Sequence, residues 1–172
     1  MNIFAWLDNL MSLVGSLFPR IYFVRCNEAH VVLVASRQPI LRRSAYFIWP
    51  LITTAYEIPM NRRTLDIESQ SLESKDGKGF VVDGTIAFTI TDAIQFSVHN
   101  FEPDESLLRD AERVLREVLT GLDWENIQSD PEGIAEDCGT MAADLLSEQY
   151  GIQIEYFCTT NLIRARAFQL FQ

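Results

Sequence analysis

Cysteine and histidine are both scarce in this sequence, and several chemistries go with them. The three cysteines, Cys26, Cys138 and Cys158, are odd in number and far apart. With no CxxC and no Cys/His ligand spacing, neither a disulfide framework nor a zinc motif is expected. Reduced thiols in a cytosolic compartment are the expected state, with Cys138 and Cys158 filling core positions. The two histidines, His30 and His99, lie in different segments and match no HExxH or Cys–His arrangement. Each is expected to be a surface or capping residue. GxSxG, Walker and GxGxxG patterns are absent as well. Glu132, Glu136 and Asp137 share a helical segment, but neighbours one position apart diverge by about 100° and cannot converge on one ligand. A solvated helix face is the expectation there. The sequence therefore predicts no catalytic residue, no cofactor and no metal ligand, hence no enzyme. Basic charge is also short. A net charge of −10 excludes nucleic acid as the main partner, because phosphate binding needs a basic face.

The composition suffices for a core, with 48% hydrophobic and 22% charged residues. The charge is segregated. Residues 1–19 carry only Asp8, residues 20–63 carry seven Arg against Glu28 and Glu57, and residues 64–172 carry seven cations against 21 acids. A cationic stretch beside an apolar N-terminus and ahead of an acidic body suits a protein lying on an anionic leaflet. Arginines placed on sheet edges for solubility would give the same count.

The opening MNIFAWLDNLMSLVGSLFP places Ile3, Phe4, Leu7, Leu10, Met11, Val14, Leu17 and Phe18 on one helical face, with Asn2, Asn9 and Ser16 opposite. Pro19 ends the helix. Eighteen helical residues reach roughly 27 Å, short of a ~30 Å hydrocarbon core. No basic n-region precedes the apolar stretch, so it does not read as a signal peptide. Three placements compete. The helix lies in the plane of a bilayer interface with Trp6 at headgroup level, spans or re-enters, or packs on the domain's own core or a neighbouring subunit. The polar stripe favours the in-plane placement. Membrane contact is then expected from Ile3, Phe4, Trp6, Leu7, Leu10, Met11, Val14, Leu17 and Phe18, and headgroup contact from Arg20, Arg25, Arg42 and Arg43.

Residues 31–35 read as a strand. AYFIWPL is a buried strand or a second membrane-dipping loop, with core preferred because Pro50 and its length forbid a span. Residues 54–73 look like long extended strands. SKDGKG at 74–79 signals a hairpin turn rather than a phosphate cradle, since the GKS/T end and following helix are missing. The strand 80–92 follows, apolar at Val82, Ile86, Phe88 and Ile90. Residues 104–122 are predicted helical from an Asp104 N-cap, burying Leu107, Leu108, Ala111, Val114, Leu115, Val118 and Leu122, with Glu112 and Arg116 paired outside. A second helix runs from Asp130 and Pro131 to about Tyr150, burying Ile134, Cys138, Met141, Leu145 and Leu146, with Gly151 as its stop. Beyond it Ile152, Ile154 and Tyr156 are expected on one face of a strand, Gln153 and Glu155 on the other. RARAFQLFQ closes the chain as a frayed end or a helix start. The fold class is α+β, with helices segregated on an antiparallel sheet. The organisation is an amphipathic helix at 1–19 and a domain at 20–172, β-rich over about 20–98 and helical over about 99–163.

FIWPLI, extended segments and then SKDGKGFVVDGTIAFTITDA resemble the Band 7 pattern of stomatin, prohibitin and flotillin (SPFH) domains. Lys75, Asp76, Gly77, Val82, Asp83, Ile86, Ile90 and Asp92 hold that pattern's positions. Two amphipathic helices and Gly151, Ile152 and Ile154 complete a similarity over roughly residues 28–163. The resemblance implies an α+β, non-enzymatic domain docked on the cytosolic face of a membrane. It implies assembly with itself (a homo-oligomer) or with related Band 7 proteins, and regulation of membrane proteins such as AAA-type proteases or channels. Relatives usually open with a transmembrane or hairpin segment, where this sequence has an amphipathic stretch. They usually continue into a coiled coil, and this sequence stops at Gln172, so a smaller oligomer or docking onto another array is expected. The alternative is a soluble protein–protein module whose N-terminal helix docks in a partner's groove.

Overall fold

The structure, a computed structural model, describes residues 5–16, 18–35, 38–98 and 102–164. The chain divides into two compact units, Met1–Asn61 and Arg62–Gln172. The first holds five Arg against three acids, a net of +2, and the second nine cations against 21 acids, a net of −12.

The first unit begins with α1 (Ala5–Ser16). Two small antiparallel sheets follow. In one, β1 (Arg20–Tyr22) pairs with β4 (Tyr46–Ile48). In the other, β2 (Glu28–Val34) lies between β3 (Ile40–Arg42) and β5 (Thr53–Pro59). The strand expected at 31–35 from its β-branched run is β2, which starts earlier and ends at Val34. Val32, Tyr46 and Ile48 form a buried cluster with Tyr22, Val24, Val34 and Ala55 around it. The Tyr22 and Tyr46 rings stack there with centroids 6.0 Å apart.

The second unit is a three-stranded antiparallel sheet, β6 (Arg63–Glu73), β7 (Gly79–Ile90) and β8 (Ile152–Arg164), with β7 in the middle. Between β7 and β8 come α2 (Ala93–Val98), α3 (Pro103–Thr120), α4 (Trp124–Ser129) and α5 (Pro131–Tyr150). Val82, Ile86, Phe88 and Ile90 are all buried, as the alternation predicts. The opposite face of the sheet is polar, where Thr85 meets Asp66 and Thr160, and Asp83 binds both the backbone and side-chain nitrogens of Asn161.

The SKDGKG segment is the β6–β7 hairpin turn, with Gly77 at φ 77. It also does something that its sequence does not announce. Asp76 accepts from Ser74 Oγ at 2.6 Å, from Lys78 Nζ at 2.7 Å and from the backbone N–H of Trp124 at 3.0 Å, so it secures the start of α4. Lys78, Ser74 and the Trp124 amide, in that order, hold the Asp76 carboxyl well below the usual carboxylate range. A lowered folded-state pKa contributes stability that is present above the unfolded value of about 3.9 and is lost as pH falls toward the folded one. Asp76→Asn is therefore expected to melt below the wild type at neutral pH, with the gap closing below about pH 3 in thermal melts across the acid range.

Several helix details differ from expectation. α3 starts at Pro103 rather than from an Asp104 cap; Asp104 instead accepts from Arg63 at 2.7 Å. Arg116 reaches across to Gln70 at 3.2 Å rather than pairing with Glu112. Leu119 joins the buried stripe, while Leu108, Val118 and Leu122 are only half-buried. In α5, Asp130 caps Gly133 N at 2.9 Å as the Asp-Pro start predicts. Its stripe runs at intervals of four, Ile134, Cys138, Ala142, Leu146 and Tyr150, leaving Met141 half-buried and Leu145 exposed. The reversal lies in β8. A register shift between Ala87 and Phe88 passes over Glu155, so Tyr156 turns outward under Arg62 and Phe157 takes the core position. A run of alternating residues carries no mark of such a bulge.

Candidate membrane-docking surface

Large apolar side chains stand exposed mainly in the first unit, which holds thirteen of the seventeen such residues among those described. Strand pairing explains the densest group. Across β1 and β4, Ile21 lies opposite Phe47 and Tyr22 opposite Tyr46. A period of two then sends Tyr46 and Ile48 into the core cluster and Phe47 outward, 74% exposed. Trp49, Leu51 and Ile52 stay exposed in the turn that follows, and Phe23, just past β1, is 76% exposed. The burial expected for AYFIWPL thus holds for alternate residues only. Tyr46 and Ile48 are buried as the core reading expects, whereas Phe47, Trp49 and Leu51 are exposed against it. Alternation was the available signal, masked because both sets of side chains are apolar.

The predicted membrane-contact residues are partly described. Trp6, Leu10, Met11, Val14 and Phe18 are exposed, and Leu7 falls within α1. Ile3, Phe4 and Leu17 lie outside the described residues, as do His99 and the closing segment from Ala165. Among the described residues, no helix is long and apolar enough to cross a membrane. Arg20, Arg25, Arg42 and Arg43 are all exposed. Arg25 also lies 3.4 Å from Glu28, a surface pair of small energetic weight.

His30 departs from its expected surface role. It is 2% exposed, and its Nδ1 lies 2.7 Å from the Tyr46 hydroxyl, with the two rings edge to face. Strand register sets Glu57 opposite His30 on one side and Arg42 on the other. Burial, then Tyr22 and Glu57, raise the Tyr46 phenol above its ordinary value, with Arg42 opposing.

In the second unit a groove of about 660 Å³ runs between α3 and α5. Val118, Leu122, Met141 and Leu145 give it an apolar lining, and Glu117, Glu136, Asp137 and Asp144 supply carboxylates. Glu136 and Asp137 are exposed, as a solvated helix face requires. Cys138, one position on, is fully buried, and desolvation followed by Asp137 pushes its thiol up to about 12. Cys26 is exposed. Maleimide at neutral pH is therefore expected to label Cys26 at least about a hundredfold faster than Cys138, as followed by peptide mass spectrometry.

The chain is thus an α+β protein whose first unit bears exposed aromatic residues on a small sheet and whose second unit is a helix-bearing antiparallel sheet. The family model of the SPFH domain / Band 7 family matches residues 23–163, and the chain belongs to that family. Its members are generally membrane-associated, self-associating, non-enzymatic scaffolds. No curated protein matches the chain.

Proposed function

We propose that this protein is a peripheral scaffold of the cytosolic membrane face, docking through its first unit and assembling through its second. The observation that carries the reading is the set of exposed apolar residues Ile21, Phe47, Trp49, Leu51 and Ile52 in a unit that also holds the exposed Arg20, Arg42 and Arg43. Buried apolar residues need no second solvent, whereas a concentration of exposed aromatic ones marks a surface that meets lipid or protein. Arg20, Arg42 and Arg43 add attraction to anionic headgroups, each worth roughly 1 kcal/mol near such a surface. α1 contributes Trp6, Leu10, Met11 and Val14 as an interfacial helix. The acidic second unit offers its α3–α5 groove to copies, to related Band 7 proteins, or to a client such as an AAA-type protease or channel. Assembly raises membrane avidity without any new contact.

Flotation of the purified chain with phosphatidylcholine vesicles, with and without phosphatidylserine, tests the docking. Salt-sensitive recovery with the anionic vesicles supports it. Protein left at the bottom of both gradients overturns it, and a lipid-independent oligomer in that case would favour the soluble interaction module.

A further inference from the structure

We propose that Glu28, His30 and Glu57 form a divalent transition-metal site of the zinc class on the β2–β5 pair. One carboxylate oxygen of each glutamate and one ring nitrogen of His30 lie within 4.8 Å of one another. Linear spacing gives no hint of this set. Glu28 and His30 share a face of β2 by alternation, and the antiparallel register brings Glu57 opposite His30 from β5.

A second observation is independent of the cluster. His30 Nε2 is buried with no hydrogen-bond partner, while Nδ1 is engaged by Tyr46. An orphaned buried ring nitrogen is costly to keep, and in many sites a metal ion is what satisfies it. The Tyr46 contact is also the outer partner such a ligand needs. With the proton on Nδ1 and donated to the Tyr46 oxygen, the Nε2 lone pair is free for a cation and the ring is held in place. Imidazole with two carboxylates suits zinc-class ions better than calcium or magnesium, which take oxygen ligands. Bonds of about 2.0–2.1 Å put tetrahedral ligands about 3.3 Å apart. The two glutamates can close that distance by side-chain rotation, since neither is fully buried. Glu28 would exchange its exposed Arg25 partner for the ion. Three protein ligands leave at least one position to water, and the ion would pin β2 to β5 beneath the docking surface.

The test is titration of the untagged full chain with zinc against a chromophoric chelator, repeated with cobalt for its absorption spectrum. One equivalent is expected to bind. Glu57→Gln, at an exposed position that leaves the core intact, is expected to weaken binding at least about tenfold. His30→Asn should weaken it further, and Tyr46→Phe by about 10- to 100-fold through loss of the outer contact. Cys26→Ser should leave binding unchanged. Absence of saturable binding overturns the site. So does binding that survives both His30→Asn and Glu57→Gln, or a thiolate-to-cobalt band that disappears in Cys26→Ser. Vesicle flotation is read separately, so neither failure implies the other.

Discussion

Replacing Phe47 and Trp49 together by serine is expected to reduce recovery of the protein on anionic vesicles by about a hundredfold or more. The two side chains project from a strand and turn whose alternate positions, Tyr46 and Ile48, already fill the core cluster, so the change removes surface rather than packing. An aromatic side chain carries about 150–250 Å² of area, and burying apolar area gains roughly 25 cal/mol per Å². Even partial insertion of two such groups therefore contributes about 3 kcal/mol, and 1.4 kcal/mol is a factor of ten. Far-UV circular dichroism of the variant should match the wild type. Tyr46→Ser would lower recovery too, but by unravelling the cluster beneath. Unchanged flotation of the folded double variant would move the docking surface elsewhere on the molecule, with α1 the next segment to test.

Gly151→Ala is expected to cost about 3 kcal/mol, visible as a fall in melting temperature of about 10 °C. Gly151 closes α5 in the left-handed conformation, φ 63, where an L side chain is strained by roughly 1–2 kcal/mol. Space is a separate penalty. A methyl group there would lie 2.8 Å from Gln95 Cβ and 2.9 Å from both Asp92 Cβ and Asp92 O. Backbone does not move aside cheaply, and overpacking of this kind costs about 1–3 kcal/mol. The Gly151 carbonyl also receives the N–H groups of Thr91 and Asp92, each at 2.9 Å, so displacement would disturb the end of β7. Gly139→Ala is the matched control. It sits within α5 with nothing within 4 Å of the added carbon, and should be neutral or stabilise by about 0.5–1 kcal/mol. Equal melting temperatures for the two variants would show that the junction yields.

The comparison of these two glycines also shows how legible the chain was. Gly151 announced itself, following a helical pattern and preceding an alternating one, and Asp130 with Pro131 announced the other end of α5. The hairpin at Lys75, Asp76 and Gly77 was equally plain. What escaped was whatever depends on partners distant in sequence. His30 looks like a lone surface histidine until β4 brings Tyr46 against it and β5 brings Glu57 opposite. Tyr156 looks like a core residue until a bulge turns it over. Phe47 and Trp49 were hidden differently: an apolar run reads as buried throughout, and only pairing with β1 decides which half of it faces out. The short helices α2 and α4, six residues each, hold too little periodicity to register.

The central strand of the second unit's sheet, β7, has its two neighbours at opposite ends of that unit's sequence. β6 arrives through a five-residue turn, but β8 comes only after all four helices. During synthesis, β7 therefore emerges from the ribosome with one edge paired and the other bare. It stays so until more than sixty further residues have been made, because β8 begins at Ile152 and β7 ends at Ile90. Over that interval Ile86, Phe88 and Ile90 are joined to an open edge of the kind that invites pairing with a second nascent chain. For a protein whose family self-associates, neighbours translated from one message would meet at that stage, before either has closed its sheet.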